Sequence, residues 1–187
     1  MGDVVDTDSI TGFRYAIPEV VEGKSSTTIE VGPFDFSSKA KELNIDGMMA
    51  TKSYVLVHDP SVTGMEGLVQ GAPFVDPIIH QGTVDKPLMQ GFDIPFTHVI
   101  QTMLRPGISD MDGNIALDEA LSELGAEKQE RDQGFEAVAY FLDAPDASQT
   151  DLQKIADHLA TPSLKTSVIL HRAEFEAGYE ISIPLVT

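Results

Sequence analysis

The chain has 187 residues, 42% of them hydrophobic, and its 30 acidic against 12 basic residues give a formal net charge of -18. It contains no cysteine, which excludes disulfides, thiolate metal sites and cysteine nucleophiles in this sequence. Nucleic-acid binding needs clustered Lys and Arg, whereas the basic residues here are scattered from Arg14 to Arg172, so we expect no nucleic-acid partner.

The acidic residues are spread along the whole chain, which indicates a charged surface on a folded protein rather than a disordered tail. At molar salt the Debye length falls to ~3 Å, so repulsion among these charges is screened there. We therefore expect a halophilic source, with cations from the medium as candidate ligands; the alternative is an ordinary acidic protein from a mesophile. No apolar run approaches the ~20 residues of a membrane span, and the start of the chain lacks the features of a signal peptide, so neither is expected.

In chain order, residues 1–10 are polar, acidic and without periodicity, which predicts an N-terminal arm. Two-residue alternation and β-branched composition then predict strands at 11–17, 26–31, 48–58 and 96–104. The five prolines and five glycines between 59 and 95 favour edge strands and long connections and exclude regular helix there.

Two short helices are predicted between strands. Apolar residues recur at helical spacing over 114–129, with acidic residues early and Lys128 late. A second helix is predicted to begin at Thr150, whose hydroxyl would cap it while Gln153 reaches back in a capping box. Leu152, Ile155 and Leu159 are expected to form its buried side.

The C-terminal part carries the clearest alternation, with strands predicted at 135–142, 167–175 and 179–186. The last two are expected to form an antiparallel hairpin that turns at residues 176–178, where Gly178 supplies a positive φ. In that register Ile169 and Phe175 would face the same interior as Ile181 and Ile183.

About eight short strands with proline and glycine turns predict a mainly β fold, a single jelly-roll-like β-sandwich with one or two short helices in its connecting loops. We expect two parts in the chain, the arm at 1–10 and one β-sandwich domain at 11–187. No internal repeat or change of composition indicates a further boundary.

One stretch resembles the start of a calcium loop, because Asp110, Asp112 and Asn114 alternate as oxygen ligands and Asp118 and Glu119 follow. The resemblance then fails: Ile115 stands where glycine is needed for the sharp turn, and Leu121 stands where a bidentate glutamate is needed. We interpret the stretch as a turn in which Asp112 or Asn114 caps the following helix.

Other motifs that carry chemistry are missing from the sequence. The histidines have no partner at metal-ligand spacing, so we expect His98 and His171 to face solvent or a hydrogen bond. Serine-nucleophile, phosphate-loop and dinucleotide motifs do not occur, and with 30 carboxylates no acid–base pair can be singled out. We therefore expect no enzyme activity, no catalytic residues, no cofactor and no dedicated metal site. The five histidines are His58, His80, His98, His158 and His171.

In size, acidity and strand pattern the chain resembles the smaller major capsid protein of tailless icosahedral haloarchaeal viruses with an internal membrane, the sphaerolipovirus type. The pattern is that of residues 11–17, 48–58, 135–142 and 167–186, and it includes no sequence motif. The resemblance implies an upright single jelly roll in a virion capsid, which associates with copies of itself and with a second, larger capsid protein. The same features fit an acidic β-sandwich binding module, from a phage tail or a secreted halophilic protein.

Overall fold

The computed structural model describes residues 17–18, 23–76, 78–86, 88–89, 94–105, 108–176 and 182–183. Within these ranges the chain forms eight strands, of which two are only two residues long. The strands are β1 Ile17–Pro18, β2 Ser25–Asp35, β3 Gly47–His58, β4 Gln81–Val84, β5 His98–Leu104, β6 Gln133–Asp143, β7 Lys165–His171 and β8 Ser182–Ile183.

Six of these strands form one antiparallel sheet in the order β4-β2-β3-β6-β5-β7. The long strands β3 and β6 lie at its centre and pair from Gly47 opposite Asp143 to Val57 opposite Gln133. The short pair β1 and β8 is parallel and separate from this sheet, although β1 also contacts β3. The outer edges are therefore β4 on one side and β7 on the other.

Helices occupy the connections between strands. They are α1 Ser37–Glu42, a 3-10 helix at Met65–Gln70, α2 Met111–Glu123, α3 Gln149–Leu159 and α4 Arg172–Glu176. Between 59 and 95 the described residues form no α-helix, in line with the expectation of no regular helix there, and a short 3-10 helix fits between Gly64 and Gly71. The predicted cap of α3 was also wrong by two residues: Ser148 and Asp151 form the capping box, and Thr150 lies inside the helix.

The sheet has two covered faces. The helix-covered face carries α2 over β3 and β6, the 3-10 helix over β2 and β4, α1 over β3 and α3 over β7. Its central side chains include Ile29, Leu56, Ile100 and Leu142, all with 0% exposure. This arrangement follows from the alternation of each strand, which sends every second side chain to one face.

The opposite face buries a second apolar cluster, formed by Val55, Val99, Phe135 and Phe141 with Phe175 of α4. Met89 and Phe96, which lie between β4 and β5 in the chain, also pack onto this face. Phe96, Phe141 and Phe175 contact one another edge to face, with ring centroids 5.2 to 6.1 Å apart. These aromatic contacts fix α4 against the end of the sheet.

The predicted C-terminal hairpin was wrong. Strand β7 ends at His171, and the chain turns at once into α4, so Phe175 is helical and packs on the opposite face while Ile169 packs on the helix-covered face. Ser182 and Ile183 pair in parallel with β1 rather than antiparallel with β7. The proposed turn residues Ala177 and Gly178 and the expected core residue Ile181 lie outside the described residues.

A mainly β fold with a few short helices is confirmed. The predicted arm at 1–10 and most of the predicted strand at 11–17 lie outside the described residues, so the division into an arm and one sandwich domain stays a prediction. Among the described residues no helix is both long enough and apolar enough to cross a membrane.

Candidate functional site

Exposed apolar side chains mark the β4 edge of the sheet. Ile78 and Ile79, with exposed fractions of 89% and 64%, lie in the turn that leads into β4. The turn is ordered: Asp76 accepts hydrogen bonds from the backbone N–H groups of Ile78, Ile79 and His80, and the His80 ring lies 4.3 Å from that of Phe34. This hydrogen-bonded turn therefore exposes two isoleucine side chains to solvent.

A second exposed apolar residue, Leu164, lies beside the other edge, in the turn that leads into β7. Its carbonyl accepts the backbone N–H of Arg105 at 2.9 Å, and the Arg105 side chain donates to the carbonyl of Pro162. A third spot lies on α2, where Met111 and Ile115 are exposed. Exposed apolar groups therefore occur at three separate places in the described part of the chain.

The surface around these spots is acidic. The ion pairs within the described residues are Lys24–Asp132, Lys39–Glu42, Lys128–Asp118 and Arg172–Glu176. Lys24–Asp132 is buried, with side-chain exposures of 7% and 1%, and it ties the start of β2 to the residue before β6. The other three pairs are on the surface, where each contributes little. With 30 acidic residues against 12 basic ones, ion pairing leaves a large negative excess.

The calcium-like stretch is a structural junction between α2 and β6. Asp110 caps α2, because its Oδ1 accepts the N–H of Gly113 at 2.8 Å and its Oδ2 accepts the N–H of Glu136 at 2.8 Å. Asn114 donates to the carbonyl of Asp110 and accepts the N–H of Gly134. The cap is therefore Asp110, two residues before the predicted Asp112, and its oxygens are occupied by backbone donors. Sequence spacing alone could not show that Asp110 and Asn114 bond to strand β6.

Close backbone contact strengthens the same junction. Gly113 of α2 and Gly134 of β6 face each other so closely that a methyl group on either would overlap the other's carbonyl oxygen. Only glycine allows a helix to approach a strand in this way. The pair sets the distance of α2 from the sheet.

A cleft of about 320 Å³ opens where α2 crosses β3 and β6. Tyr54 and Phe74 form an aromatic wall with ring centroids 5.8 Å apart, and Glu136 and Asp112 lie beside them. Burial, followed by the nearby Asp112 charge, raises the pKa of Glu136. Burial raises the pKa of Tyr54 to about 12, and the negative charge of Glu136 is the second cause of this rise. The cleft is concave, aromatic and anionic.

A larger hollow of about 550 Å³ lies at one end of the sheet, between the α1–β3 turn and the start of α3. Its lining mixes apolar residues with acidic ones, among them Asp46, Asp146 and Asp151, and it also includes Lys154 and His158. Asp151 is already engaged in the capping box of α3, which lowers the pKa of its carboxyl through hydrogen bonds from Ser148.

Among the ionisable residues that the structure describes, Glu30 on β2 has the lowest exposure, 1%. Its neighbours Ile29 and Val31 pack on the helix-covered face, so Glu30 lies on the opposite face, where Thr51 donates to its Oε2 at 2.6 Å and the N–H of Leu88 to its Oε1 at 2.9 Å. Burial raises its pKa to about 7, more than the two hydrogen bonds lower it. Sequence reasoning missed Glu30, because an acidic residue alternating with apolar ones normally faces solvent.

His98 and His171, which were expected to face solvent or a hydrogen bond, lie together: His171 is exposed and Nδ1 of His98 is hydrogen-bonded to the Thr97 hydroxyl. They are direct partners in the pairing of β5 with β7, and their ring centroids are 4.7 Å apart. Burial lowers the pKa of His98, and the charge of His171 lowers it further. By contrast, His58 is buried with both ring nitrogens bonded, to Thr27 and to the carbonyl of Asp59.

No group of three or more His, Asp or Glu side chains able to hold a metal ion occurs in the part of the chain that the structure describes. The expectation of no catalytic residue and no cofactor stays a prediction. No protein-family profile matches the chain, and no curated protein matches its sequence.

Proposed function

We propose that the protein is a structural subunit of an icosahedral virus capsid, which builds the shell by contacts with copies of itself and with a second capsid protein. The observation that supports the proposal is the placement of exposed apolar residues at opposite edges of one sheet, Ile78 and Ile79 beside β4 and Leu164 beside β7. A shell subunit needs contacts in several different directions, because each copy has several neighbours.

The geometry of the edges fits this role. Both outer strands, β4 and β7, have one side without a strand partner among the described residues. Such edges pair with other chains unless they are protected, and an apolar side chain beside them adds burial to any contact. The hydrogen bonds from the backbone N–H groups of Ile78 and Ile79 to Asp76 also reduce the backbone entropy that is lost on association.

The proposal extends to a jelly roll, to virion localisation and to a halophilic source. A jelly roll needs a second sheet that faces the six-stranded one, and among the described residues the short pair β1–β8 is the candidate for part of that sheet. A surface with a net charge of -18 is suited to molar salt, where like charges on neighbouring subunits are screened. Under this proposal the protein is not an enzyme, and residues 1–10 serve as an assembly arm.

Self-association in molar salt tests the proposal directly. The double variant Ile78→Ser/Ile79→Ser and the single variant Leu164→Ser should fold as the wild type does, by circular dichroism, but should sediment as smaller species. Glu127→Gln, an exposed change away from the three apolar spots, is the matched control and should assemble normally. The proposal would be rejected if both edge variants sedimented as the wild type does. It would also be rejected if the wild type stayed monomeric both alone and with a co-expressed partner protein.

The aromatic, anionic cleft favours one alternative, an acidic binding module. Its walls, Tyr54 and Phe74, resemble those of sites that hold a flat or cationic ligand. In that case the edge variants would leave the oligomeric state unchanged, whereas Phe74→Ala would abolish ligand binding.

A further inference from the structure

Two imidazole rings lie side by side at the β7 edge of the sheet. His98 begins β5 and His171 ends β7, and the two residues are directly opposite each other in the antiparallel pairing. Directly opposite residues point to the same face, and here the rings are tilted by 49° with centroids 4.7 Å apart. His98 is buried, at 6% exposure, while His171 is exposed.

The neighbourhood of His98 favours one tautomer. The Thr97 hydroxyl lies 2.9 Å from Nδ1 of His98 and 3.2 Å from the carbonyl of Leu142, and it accepts the N–H of Ala144. We assign the ring proton to Nδ1, because the hydroxyl can then accept from His98 and donate to Leu142 at the same time. The lone pair is then on Nε2, to which no described residue hydrogen-bonds. A histidine held through its other nitrogen is the usual form of a metal ligand.

The spacing of the rings matches that of two imidazoles on one metal ion. A metal–nitrogen bond of about 2.0 to 2.1 Å puts each ring centroid about 3.2 Å from the ion. Ligand angles between about 90° and 110° then separate the two centroids by about 4.5 to 5.2 Å. The observed 4.7 Å falls within this range. His171 is exposed, so its ring can turn to complete the pair without disturbing the core.

We propose that His98 and His171 form a two-histidine site for a borderline transition-metal dication, such as Ni²⁺, Zn²⁺ or Cu²⁺. Nε2 of His98 and one ring nitrogen of His171 bind the ion, and water fills the remaining positions. Imidazole favours these metals, whereas Mg²⁺ and Ca²⁺ prefer oxygen ligands. Glu174, whose carboxylate accepts the backbone N–H of His171, adds negative charge beside the site.

The site is distinct from the acidic surface, which attracts any cation without selecting a transition metal. Two protein ligands leave open coordination positions, so the ion is exchangeable, unlike a closed structural zinc. The ion joins β5 to β7, the outermost pair of the sheet. It therefore cross-links the edge at which the chain turns into α4.

Calorimetric titration of the full chain with Ni²⁺ in molar NaCl tests the proposal. We expect one Ni²⁺ per chain, with affinity at least about tenfold weaker in His171→Gln and, as for other positioning residues, about tenfold weaker in Thr97→Val. His158→Gln removes an exposed histidine of α3 and is the matched control, with unchanged affinity. Because His171 is exposed, its variant should keep the fold, which circular dichroism checks.

Two further readouts identify the ligands. With Cu²⁺ as the probe, electron paramagnetic resonance should show nitrogen coupling in the wild type that weakens in His171→Gln. A large excess of Ca²⁺ should not displace Ni²⁺. Equal Ni²⁺ affinity in His171→Gln and the wild type, displacement by Ca²⁺, or absence of Ni²⁺ binding would each overturn the proposal.

Discussion

Replacing Glu30 by Gln tests how the opposite face tolerates a buried carboxyl. Glu30 lies at 1% exposure between Ser53 on β3 and Thr83 on β4, and its two oxygens accept from Thr51 and from the N–H of Leu88. Glutamine has nearly the same shape and still offers an oxygen to the Leu88 N–H, but it carries no charge at any pH. The variant therefore removes titration while it keeps the packing.

The sign and size of the effect follow from the raised pKa of Glu30. Burial moves this pKa from 4.5 to about 7, so between these two values the folded protein keeps a proton that the unfolded chain has lost. The contribution of Glu30 to the free energy of unfolding is fully present below pH 4.5 and falls as the pH rises to about 7. The loss is about 3 kcal/mol, at about 1.4 kcal/mol for each unit of pKa. Glu30→Gln should not show this loss.

Urea unfolding at fixed molar salt, at several pH values from 5 to 8, measures the difference between variant and wild type. Glu30→Gln should gain about 2 to 3 kcal/mol over the wild type between pH 5 and pH 8. Glu127→Gln removes the same charge at an exposed position and is the matched control. If the Glu30→Gln and wild-type curves are parallel, the buried carboxyl does not titrate as reasoned.

Four other changes have defined outcomes. Ser148→Ala should cost about 1 kcal/mol in urea unfolding and Thr150→Ala clearly less, since Ser148 forms the capping box; the reverse order would contradict the cap. Gln101→Met should raise stability by about 1 to 3 kcal/mol, because both polar atoms of this buried amide lack a hydrogen-bond partner among the described residues; a lower urea midpoint would show that the amide is bonded. Gly134→Ala should cost about 1 to 3 kcal/mol through overlap with Gly113, and unchanged stability would mean that α2 moves freely. Dilution from molar to millimolar salt should unfold the protein, as seen by circular dichroism, and a signal that is unchanged at low salt would reject the halophilic reading.

Local sequence was enough to find the central strands. The alternation over 48–58 and 135–142 predicts β3 and β6 to within about two residues at each end, because these strands separate two different faces along their length. The same holds for β5 and for the start of β2. The helix predicted over 114–129 starts later in the chain than α2, which begins at Met111. Its cap, Asp110, is recognised only through its bond to β6.

Other features depend on distant partners and could not be predicted. Ser148 and Thr150 both match a capping box locally, and the structure uses the first. Phe175 continues the alternation of β7 by sequence, yet its contacts with Phe96 and Phe141 place it in α4. Glu30 is buried because residues 88–89 cross over it, and the histidine pair exists because β7 follows β5 in the sheet order.

The contact between Gly113 and Gly134 also constrains how this protein can evolve. The two residues are far apart in the chain, but neither position can acquire a side chain while the other backbone stays where it is. A viable substitution at one position requires α2 to shift outward, which would break the bonds from Asp110 and Asn114 to β6. In diverged relatives we therefore expect the two glycines and these polar residues to be inherited as a unit or to be replaced together.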